Sequence, residues 1–307
     1  MAGSAWKDPR RLIPAAVFCV FLWGSAAPFI KWGYLQFGIA GSDTPAILQF
    51  AGLRFFLAGL MVILAGSLRQ KKPLLPAKRD LGPIFVLAFF QTIAQYFFYY
   101  VGLAHTSAAS GAILTGTGAF ISLLVAALLF HYERLSLNKL AGCLLGFLGI
   151  LVMNLGGLTG FSFSFAGEGF ILLSQVSSAL SAAFIKKYTQ SRDAVLLSGW
   201  QFAFGGLLLW LTGFVQGGSL SLTSLPGLAD LAYLAFVSAA AYTIWGFLLQ
   251  HNPISKIGMF NCLIPLFGVL WSAVLLHENA FEPQTLAALV LIMGGILLVN
   301  RPGKATE

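Results

Sequence analysis

The chain has 307 residues, of which 58% are hydrophobic and 9% are charged, and its mean hydropathy is +0.85. Soluble proteins of ordinary composition carry about a quarter charged residues, so this composition excludes a soluble globular protein. It predicts an all-α integral membrane protein. The net charge of +8 does not indicate nucleic-acid binding, because the basic residues lie in short connectors rather than in an aromatic-rich patch.

Ten apolar segments are long enough to cross the hydrocarbon core as helices, which requires about 20 residues each. The connectors between them are short and rich in turn-forming and charged residues, so they leave no room for a separate soluble domain. The first segment resembles a secretory signal, but its apolar run continues past the small residues that would be cleaved. In chain order the predicted spans are 12–37, 45–67, 80–103, 106–130, 137–155, 167–188, 193–215, 226–249, 254–276 and 283–300.

The distribution of charge predicts the orientation of these ten spans. If the N-terminus is cytoplasmic, the inside tails and connectors carry sixteen of the 18 basic residues, and the outside connectors carry none. Lysine and arginine next to a span resist translocation, so we expect a multi-pass protein of the cell inner (cytoplasmic) membrane with both termini cytoplasmic. The two remaining basic residues are Lys31 and Arg54, and no acidic residue is expected inside a span. The outside acids are Asp43, Glu168, Asp230, Glu278 and Glu282.

The sequence repeats itself. A shift of 146 aligns residues 105–154 with 251–300 without a gap, and Phe29-Ile30-Lys31 aligns with Phe184-Ile185-Lys186 at a shift of 155. We therefore expect two repeats of five helices each. Because five is odd, the second repeat would be inverted in the membrane, which is a recurrent plan of secondary transporters. The predicted division is 1–155 for helices 1–5 and 156–307 for helices 6–10.

Several motifs resemble one family of transporters. They are Trp23–Phe29 in helix 1, Leu53–Phe55 in helix 2, Gly102–Ala108 before helix 4, Glu133–Leu135 after it, and Asn261–Pro265 in helix 9. Together they are similar to the EamA branch of the drug/metabolite transporter superfamily, whose members move small metabolites, amino acids or drugs. The resemblance implies a central cavity lined by helices 1–4 and 6–9, with helices 5 and 10 at the periphery.

Arg54 lies about nine residues into helix 2, or about 14 Å deep in the bilayer. A charge at that depth is costly and normally faces a cavity or a partner. Arg54 is either a docking point for an anionic group, such as a substrate carboxylate, or a structural arginine tied to backbone carbonyls. Lys31 either shares a positive pocket with Arg54 or extends to the headgroups, and Lys186 is expected to extend to the cytoplasmic headgroups.

Uncharged polar and aromatic residues complete the predicted path. On helix 3 they recur at i, i+4 and i+8, which indicates a stripe facing either the path or a neighbouring helix. Four further positions are predicted hinges, where a helix can bend or where small residues pack closely. Gly142 and Gly146 form a GxxxG face for packing or a homodimer contact. The predicted substrate-binding residues are Trp23, Lys31, Arg54, Gln91, Gln95, Tyr99, Thr115, Gln175, Tyr242 and Asn261; the hinges are Pro28, Gly116, Gly118 and Pro265.

The function that this pattern predicts is alternating-access transport of a small metabolite, such as an amino acid or organic acid, with export as the expected direction. No HExxH, paired intramembrane aspartate or Walker A motif is present, so we expect no catalytic residues, metal or cofactor. A carboxylate proton relay is disfavoured for the same lack of intramembrane acids. The alternatives are an intramembrane enzyme and a channel-like scaffold. Cys19, Cys143 and Cys262 are expected to be buried free thiols.

Overall fold

A computed structural model describes residues 6–105, 114–153, 163–276 and 283–300, and these residues form helices and short connectors. Six helices of the described chain are long and apolar enough to cross a membrane, and four shorter apolar helices accompany them. The six are α1 (Pro9–Phe37), α2 (Thr44–Gln70), α3 (Lys78–Gly102), α6 (Phe165–Tyr188), α7 (Ala194–Val215) and α8 (Leu225–His251). The others are α4 (Leu114–Leu129), α5 (Leu137–Met153), α9 (Ile254–Gly258, Met259–Leu263 and Ile264–Leu276) and α10 (Pro283–Asn300).

The helices begin and end at the turn-forming residues of the connectors. Asp43 caps α2 by accepting a hydrogen bond from the Ala46 amide at 3.0 Å. Asp193 caps α7 in the same way, with its carboxylate 2.7 Å from the Val195 amide. α1 ends at Gly38, whose φ of 66° is in the left-handed region that glycine adopts without a steric penalty. Short polar connectors therefore set the helix ends, and the apolar runs fill the helices.

α2 and α7 cross in an antiparallel sense with their backbones in close contact. Gly52 lies against Gly206 and Gly59 lies against Gly199. A Cβ atom added at Gly52 would collide with the backbone of Trp210, so the close approach requires glycine there. A shift of 147 carries Gly52 to Gly199 and Gly59 to Gly206, so the two helices meet through equivalent positions.

α5 and α10 pack together in a similar antiparallel arrangement. A Cβ atom at Gly142 would lie 2.7 Å from the Gly295 carbonyl oxygen, and one at Gly149 would lie 2.7 Å from the side chain of Ile292. Gly146 packs against α9, where a Cβ atom would lie 3.1 Å from the sulfur of Cys262. The Gly142–Gly146 face, considered above for a homodimer contact, is therefore occupied by helices of the same chain.

Acidic residues do lie inside the helices, and the prediction that none would is wrong. Asp230 is in the second turn of α8 and is 2% exposed. Glu168 is buried at the start of α6, and Asp80 is in the first turn of α3. The charge count treated Asp230 as a connector residue, although the predicted span 226–249 contains it and α8 begins at Leu225. Glu278 and Glu282 lie outside the described residues. The three cysteines are buried and free, as expected.

Four described helices depart from regular α geometry, and one of them is α6, which begins with the π-helical segment Phe165–Gly169. α3 contains a π-helical segment, Ala88–Ala94. α4 is interrupted by a turn at Thr117, directly before Gly118, and α9 contains the 3₁₀ segment Met259–Leu263 directly before the helix that carries Pro265. The shift of 146 carries Thr117 to residue 263, so α4 and α9 are interrupted at matching positions. Pro28 lies within the continuous helix α1.

Candidate functional site

Arg54 is 3% exposed and is held between α2 and α8. Its Nε donates hydrogen bonds to the Leu234 carbonyl oxygen at 3.2 Å and to Ser238 Oγ at 3.0 Å. The guanidinium carbon lies 5.2 Å from the centre of the Phe55 ring. Neither of the two terminal amino groups of Arg54 donates a hydrogen bond to a described residue. Neither is fully enclosed by the described chain. One end of the guanidinium is therefore tied to α8, and the other end has donors to spare.

Tyrosine residues from three helices lie near this arginine. Tyr34 on α1, Tyr96 and Tyr100 on α3, and Tyr242 on α8 all interact electrostatically with Arg54. The hydroxyls of Tyr96 and Tyr242 are 2.6 Å apart and join α3 to α8. Arg54 and Tyr242 were both predicted site residues, and the structure brings them together.

An aromatic wall extends from this cluster toward α1. The ring centres of Tyr96 and Phe55 are 4.4 Å apart, and those of Phe55 and Phe202 are 5.5 Å apart. Phe202 is 5.0 Å from Tyr242, which is 4.8 Å from the predicted residue Trp23. The indole Nε1 of Trp23 is buried without a hydrogen-bond partner. The group therefore combines a cationic end with a wide apolar surface.

Of the stripe predicted on α3, which is Gln91, Gln95 and Tyr99, only Tyr99 joins the group around Arg54. Tyr99 contacts Tyr100, with ring centres 5.9 Å apart, but no ring contact or hydrogen bond joins Gln91 or Gln95 to Arg54. Gln91 is buried within the π-helical segment, and Gln95 directly follows it. A π turn lengthens the helical repeat, so an i, i+4 stripe does not continue through it. For this reason the sequence missed Tyr96 and Tyr100, which face Arg54.

The other predicted residues are dispersed. Lys31 is exposed on α1 and makes no contact with Arg54 in the structure, which agrees with the headgroup alternative. Gln175 on α6 packs directly against Gly118 on α4, and its amide donates to Ser174 Oγ at 3.0 Å. Asn261 Oδ1 in α9 is buried without a partner. Thr115 and Gly116 are half-buried on α4, where a Cβ atom at Gly116 would collide with the side chain of Ile150 on α5.

A cavity of about 690 Å³ lies between α2, α8 and the start of α7. Its lining includes Met61 and Phe247, with Arg69 and Arg192 among the polar residues. None of the ten predicted substrate-binding residues lines it. The cavity therefore adjoins the bundle at a place separate from Arg54.

Lys186 does not extend to the headgroups, so that expectation is wrong. Its Nζ donates to the carbonyl oxygens of Asn252 at 2.6 Å and Leu249 at 3.2 Å. These carbonyls lie at the C-terminal end of α8, where helix carbonyls lack partners and a cation is favourable. Lys186 therefore caps α8 from α6.

Glu133, in the connector between α4 and α5, binds the start of α9. Its side chain is 4% exposed and accepts hydrogen bonds from the Ser255 amide at 3.0 Å, from the Ser255 hydroxyl, and from Lys139 Nζ at 2.7 Å. Burial raises the pKa of Glu133, but the hydrogen bonds from Lys139 and Ser255 outweigh it and hold the pKa below its ordinary value. These three residues, the Glu133 cluster, fasten the first half of the chain to the second.

Comparisons with known proteins find a family, relatives and a solved structure that match along most of the chain. The model of the EamA-like transporter family matches residues 11–155 and 165–301. The chain is 28% identical over 295 residues to an uncharacterized transporter of Bacillus subtilis, covering 94% of this chain and 92% of that protein. It is 29% identical over 294 residues to a probable amino-acid metabolite efflux pump of Salmonella typhimurium, covering 92% of each. One crystal structure matches with a TM-score of 0.75 at 18% identity, over 93% of this chain and 95% of that one, which shows a shared fold.

Proposed function

The chain belongs to the EamA-like transporter family, and from this premise we propose that it moves a small amphipathic metabolite across the cytoplasmic membrane by alternating access. The family establishes a multi-pass membrane transporter. The substrate class we propose is an amino acid, an organic acid or a related compound, and the direction is export. A relative named as a probable amino-acid metabolite efflux pump supports this choice.

The architecture we propose has ten membrane crossings with both termini in the cytoplasm, divided into inverted repeats at 1–155 and 156–307. Two observations support it. The family model matches the two halves separately. The equivalent helices α2 and α7 cross in an antiparallel sense, as do α5 and α10, and an odd number of crossings per repeat requires this of equivalent helices.

The observation that carries the substrate proposal is the free end of Arg54. A substrate carboxylate would accept hydrogen bonds from the terminal amino groups, while Leu234 and Ser238 hold Nε in place. Charge-assisted hydrogen bonds of this kind are among the strong ones, and a pair of amino groups suits a carboxylate's two oxygens. The aromatic wall, which includes Tyr242 and Trp23, would contact the apolar part of the substrate.

The movement we propose is a rocking of one repeat against the other. The interruptions of α4 at Thr117 and of α9 at Met259–Leu263 are the places where these helices would bend, with Pro28 as a third. The unpaired Asn261 Oδ1 lies within the α9 interruption, which supports a place for Asn261 along the path. Of the remaining predicted polar residues, we retain Gln91, Gln95, Thr115 and Gln175 along the path, and we assign the exposed Lys31 to the headgroups.

The test is counterflow of radiolabelled leucine and 4-methylpentanoate in proteoliposomes containing the full chain. We expect Arg54→Gln to lower the initial rate at least about 10-fold, since one charged hydrogen bond is worth about 1.5–3 kcal/mol. Lys187→Gln removes an exposed lysine at the end of α6 and is the matched control, with an unchanged rate. Transport by Arg54→Gln at the wild-type rate, with equal amounts of folded protein, would remove Arg54 from the mechanism.

The same assay separates the alternatives. A carrier saturates with substrate concentration, whereas a channel-like scaffold gives a flux that rises linearly to high concentration. An intramembrane enzyme would convert the probe, so chromatography of the recovered label would show a new compound. We expect saturation and recovery of the unchanged probe.

A further inference from the structure

Asp230 is a buried carboxylate to which the function described above gives no role. It lies in α8, is 2% exposed, and neither of its oxygens has a hydrogen-bond partner. Its Oδ2 occupies the space left by Gly33 on α1, where a Cβ atom would collide with it. The carboxylate is therefore enclosed between α1 and α8, facing a glycine that leaves room for it.

A carboxylate in this position requires a cationic partner when it is ionised. Removing such a group from water costs several kcal/mol unless hydrogen bonds or an opposite charge compensate it. The ion pairs formed within the described residues are Lys139–Glu133 and Arg192–Asp80, so Asp230 belongs to neither. Lys31, on the same helix as Gly33, is exposed and does not contact it.

Arg54 is close to Asp230 but is already bound to other atoms. The two side chains interact electrostatically, yet Nε of Arg54 is held by Leu234 and Ser238, one and two turns further along α8. Along α8 the rise from 230 to 234 is about 6 Å, and from 230 to 238 it is about 12 Å. A positive group and a negative group thus stand between one and two helical turns apart on the α1–α2–α8 side of the bundle, each with unused hydrogen-bonding capacity.

We propose that Asp230 receives the ammonium group of a zwitterionic substrate whose carboxylate binds Arg54. The inference rests on the proposed transport function and names its substrate class. In an α-amino acid the ammonium nitrogen and the carboxylate oxygens are about 3 Å apart, so with a hydrogen bond of about 2.8 Å at each end the molecule spans about 8–9 Å, which is between one and two helical turns. The substrate would then compensate both charges at once.

This arrangement selects against substrates with a single charge. An organic acid would pair with Arg54 but leave Asp230 uncompensated, and a monoamine would do the reverse. An unpaired polar group left in a site is what makes such sites discriminate between close analogues. The substrate class is therefore amino acids with an apolar side chain, the part that the aromatic wall contacts.

The experiment compares three probes of the same carbon skeleton with the purified full chain: leucine, 4-methylpentanoate, which lacks the amino group, and isopentylamine, which lacks the carboxylate. We expect wild-type protein to bind leucine at least about 10-fold more tightly than either analogue. Asp230→Asn should weaken leucine binding about 10-fold, to the level of 4-methylpentanoate, whose own affinity should not fall. Asp43→Asn is the control, because asparagine caps α2 as well as aspartate does.

Each possible result of this comparison either supports or overturns the inference. Wild-type protein that binds and transports 4-methylpentanoate as well as leucine would overturn the inference and leave the proposed transport function intact. An Asp230→Asn variant that keeps the wild-type preference for leucine would also overturn it. Wild-type protein that neither binds nor transports any of the three probes would overturn the proposed function and the inference together. The comparison on wild-type protein does not depend on the folding of any variant.

Discussion

Replacing Glu133 by alanine should destabilise the protein through the contact between its two halves. The carboxylate is the shared acceptor for Ser255 on α9 and for Lys139 on α5. The Glu133→Ala change removes three hydrogen bonds and leaves their donors behind. Of these donors, Ser255 is 2% exposed and cannot turn to water, whereas the Lys139 side chain is 20% exposed and can.

The expected loss follows from these exposures. A buried donor left without a partner costs about 1–3 kcal/mol, and Ser255 would lose the partner of both its amide and its hydroxyl. The partly exposed Lys139 pair adds about 1 kcal/mol at most, because solvent screens it. These terms add to about 2–7 kcal/mol, and we take about 3–5 kcal/mol within that range, which is the usual cost of breaking a buried ion pair by removing one partner. For a chain of this size it corresponds to a fall in Tm of about 5–10 °C.

The assay is thermal unfolding of the purified chain in one detergent at one heating rate, and pH supplies a second readout. The folded-state pKa of Glu133 is lowered, so its stabilisation is present above the unfolded-state pKa of about 4.3 and is lost as pH falls through the folded-state pKa. The Tm difference between wild type and Glu133→Gln should therefore be full at pH 7 and shrink below about pH 4.

Arg134→Gln, an exposed neighbour in the same connector, is the control and should leave the Tm unchanged. A Glu133→Ala variant with the wild-type Tm would refute the assignment of the Glu133 cluster as a fastening between the halves. A difference between wild type and Glu133→Gln that grows on acidification would refute the role of the ionised carboxylate.

Three further predictions test the packing and the topology. Gly52→Ala should lower the Tm by several degrees or prevent folding, because the added Cβ meets the backbone of α7. Lys186→Gln should cost about 1–2 kcal/mol in thermal unfolding by uncapping α8, whereas Lys187→Gln should not. Cysteines at Ser42 and Ser191, in the equivalent α1–α2 and α6–α7 connectors, should react with an impermeant maleimide from opposite sides of the membrane.

The controls for these predictions are available in the chain. Gly294→Ala in α10 meets nothing within 4 Å and should leave the Tm unchanged or raise it slightly. The native cysteines are buried, so labelling of the parent protein should be low. Labelling of both new cysteines from one side would contradict the inverted repeat, and equal Tm values for the Lys186 and Lys187 variants would contradict the capping role.

The helix positions were largely predictable, because apolar length and connector residues such as Asp43 and Gly38 act locally along the chain. The family resemblance is confirmed by the match of the EamA-like model to both halves. The burial of Asp230 was missed because acids near the span ends were counted with the connectors, although the predicted span 226–249 contains this residue; its burial depends on packing against Gly33 of α1, which the sequence does not show. The partners of Lys186 depend on α8 ending beside α6, a contact between segments about 60 residues apart.

At the candidate site, the structure brings together Arg54, which the sequence proposed as a charge deep in a span, and Tyr242 and Trp23, which it proposed as aromatic walls; their role in binding stays a prediction. Tyr96 and Tyr100 were missed because the π-helical segment changes which face of α3 meets α2 and α8. Periodicity assumes a constant helical repeat, so it fails beyond such a segment. Only the three-dimensional packing shows which tyrosines reach the arginine.

The glycine crossing of α2 and α7 has a consequence for biosynthesis. α2 emerges from the ribosome well over a hundred residues before its counterpart at Ala194–Val215, so until then the surface around Gly52 and Gly59 lacks the α7 backbone that packs against it in the folded chain. A newly inserted first half therefore stays incompletely packed until the second half is inserted into the bilayer. Truncated nascent chains that stop before residue 194 should accordingly be the ones most readily captured by membrane quality-control proteases.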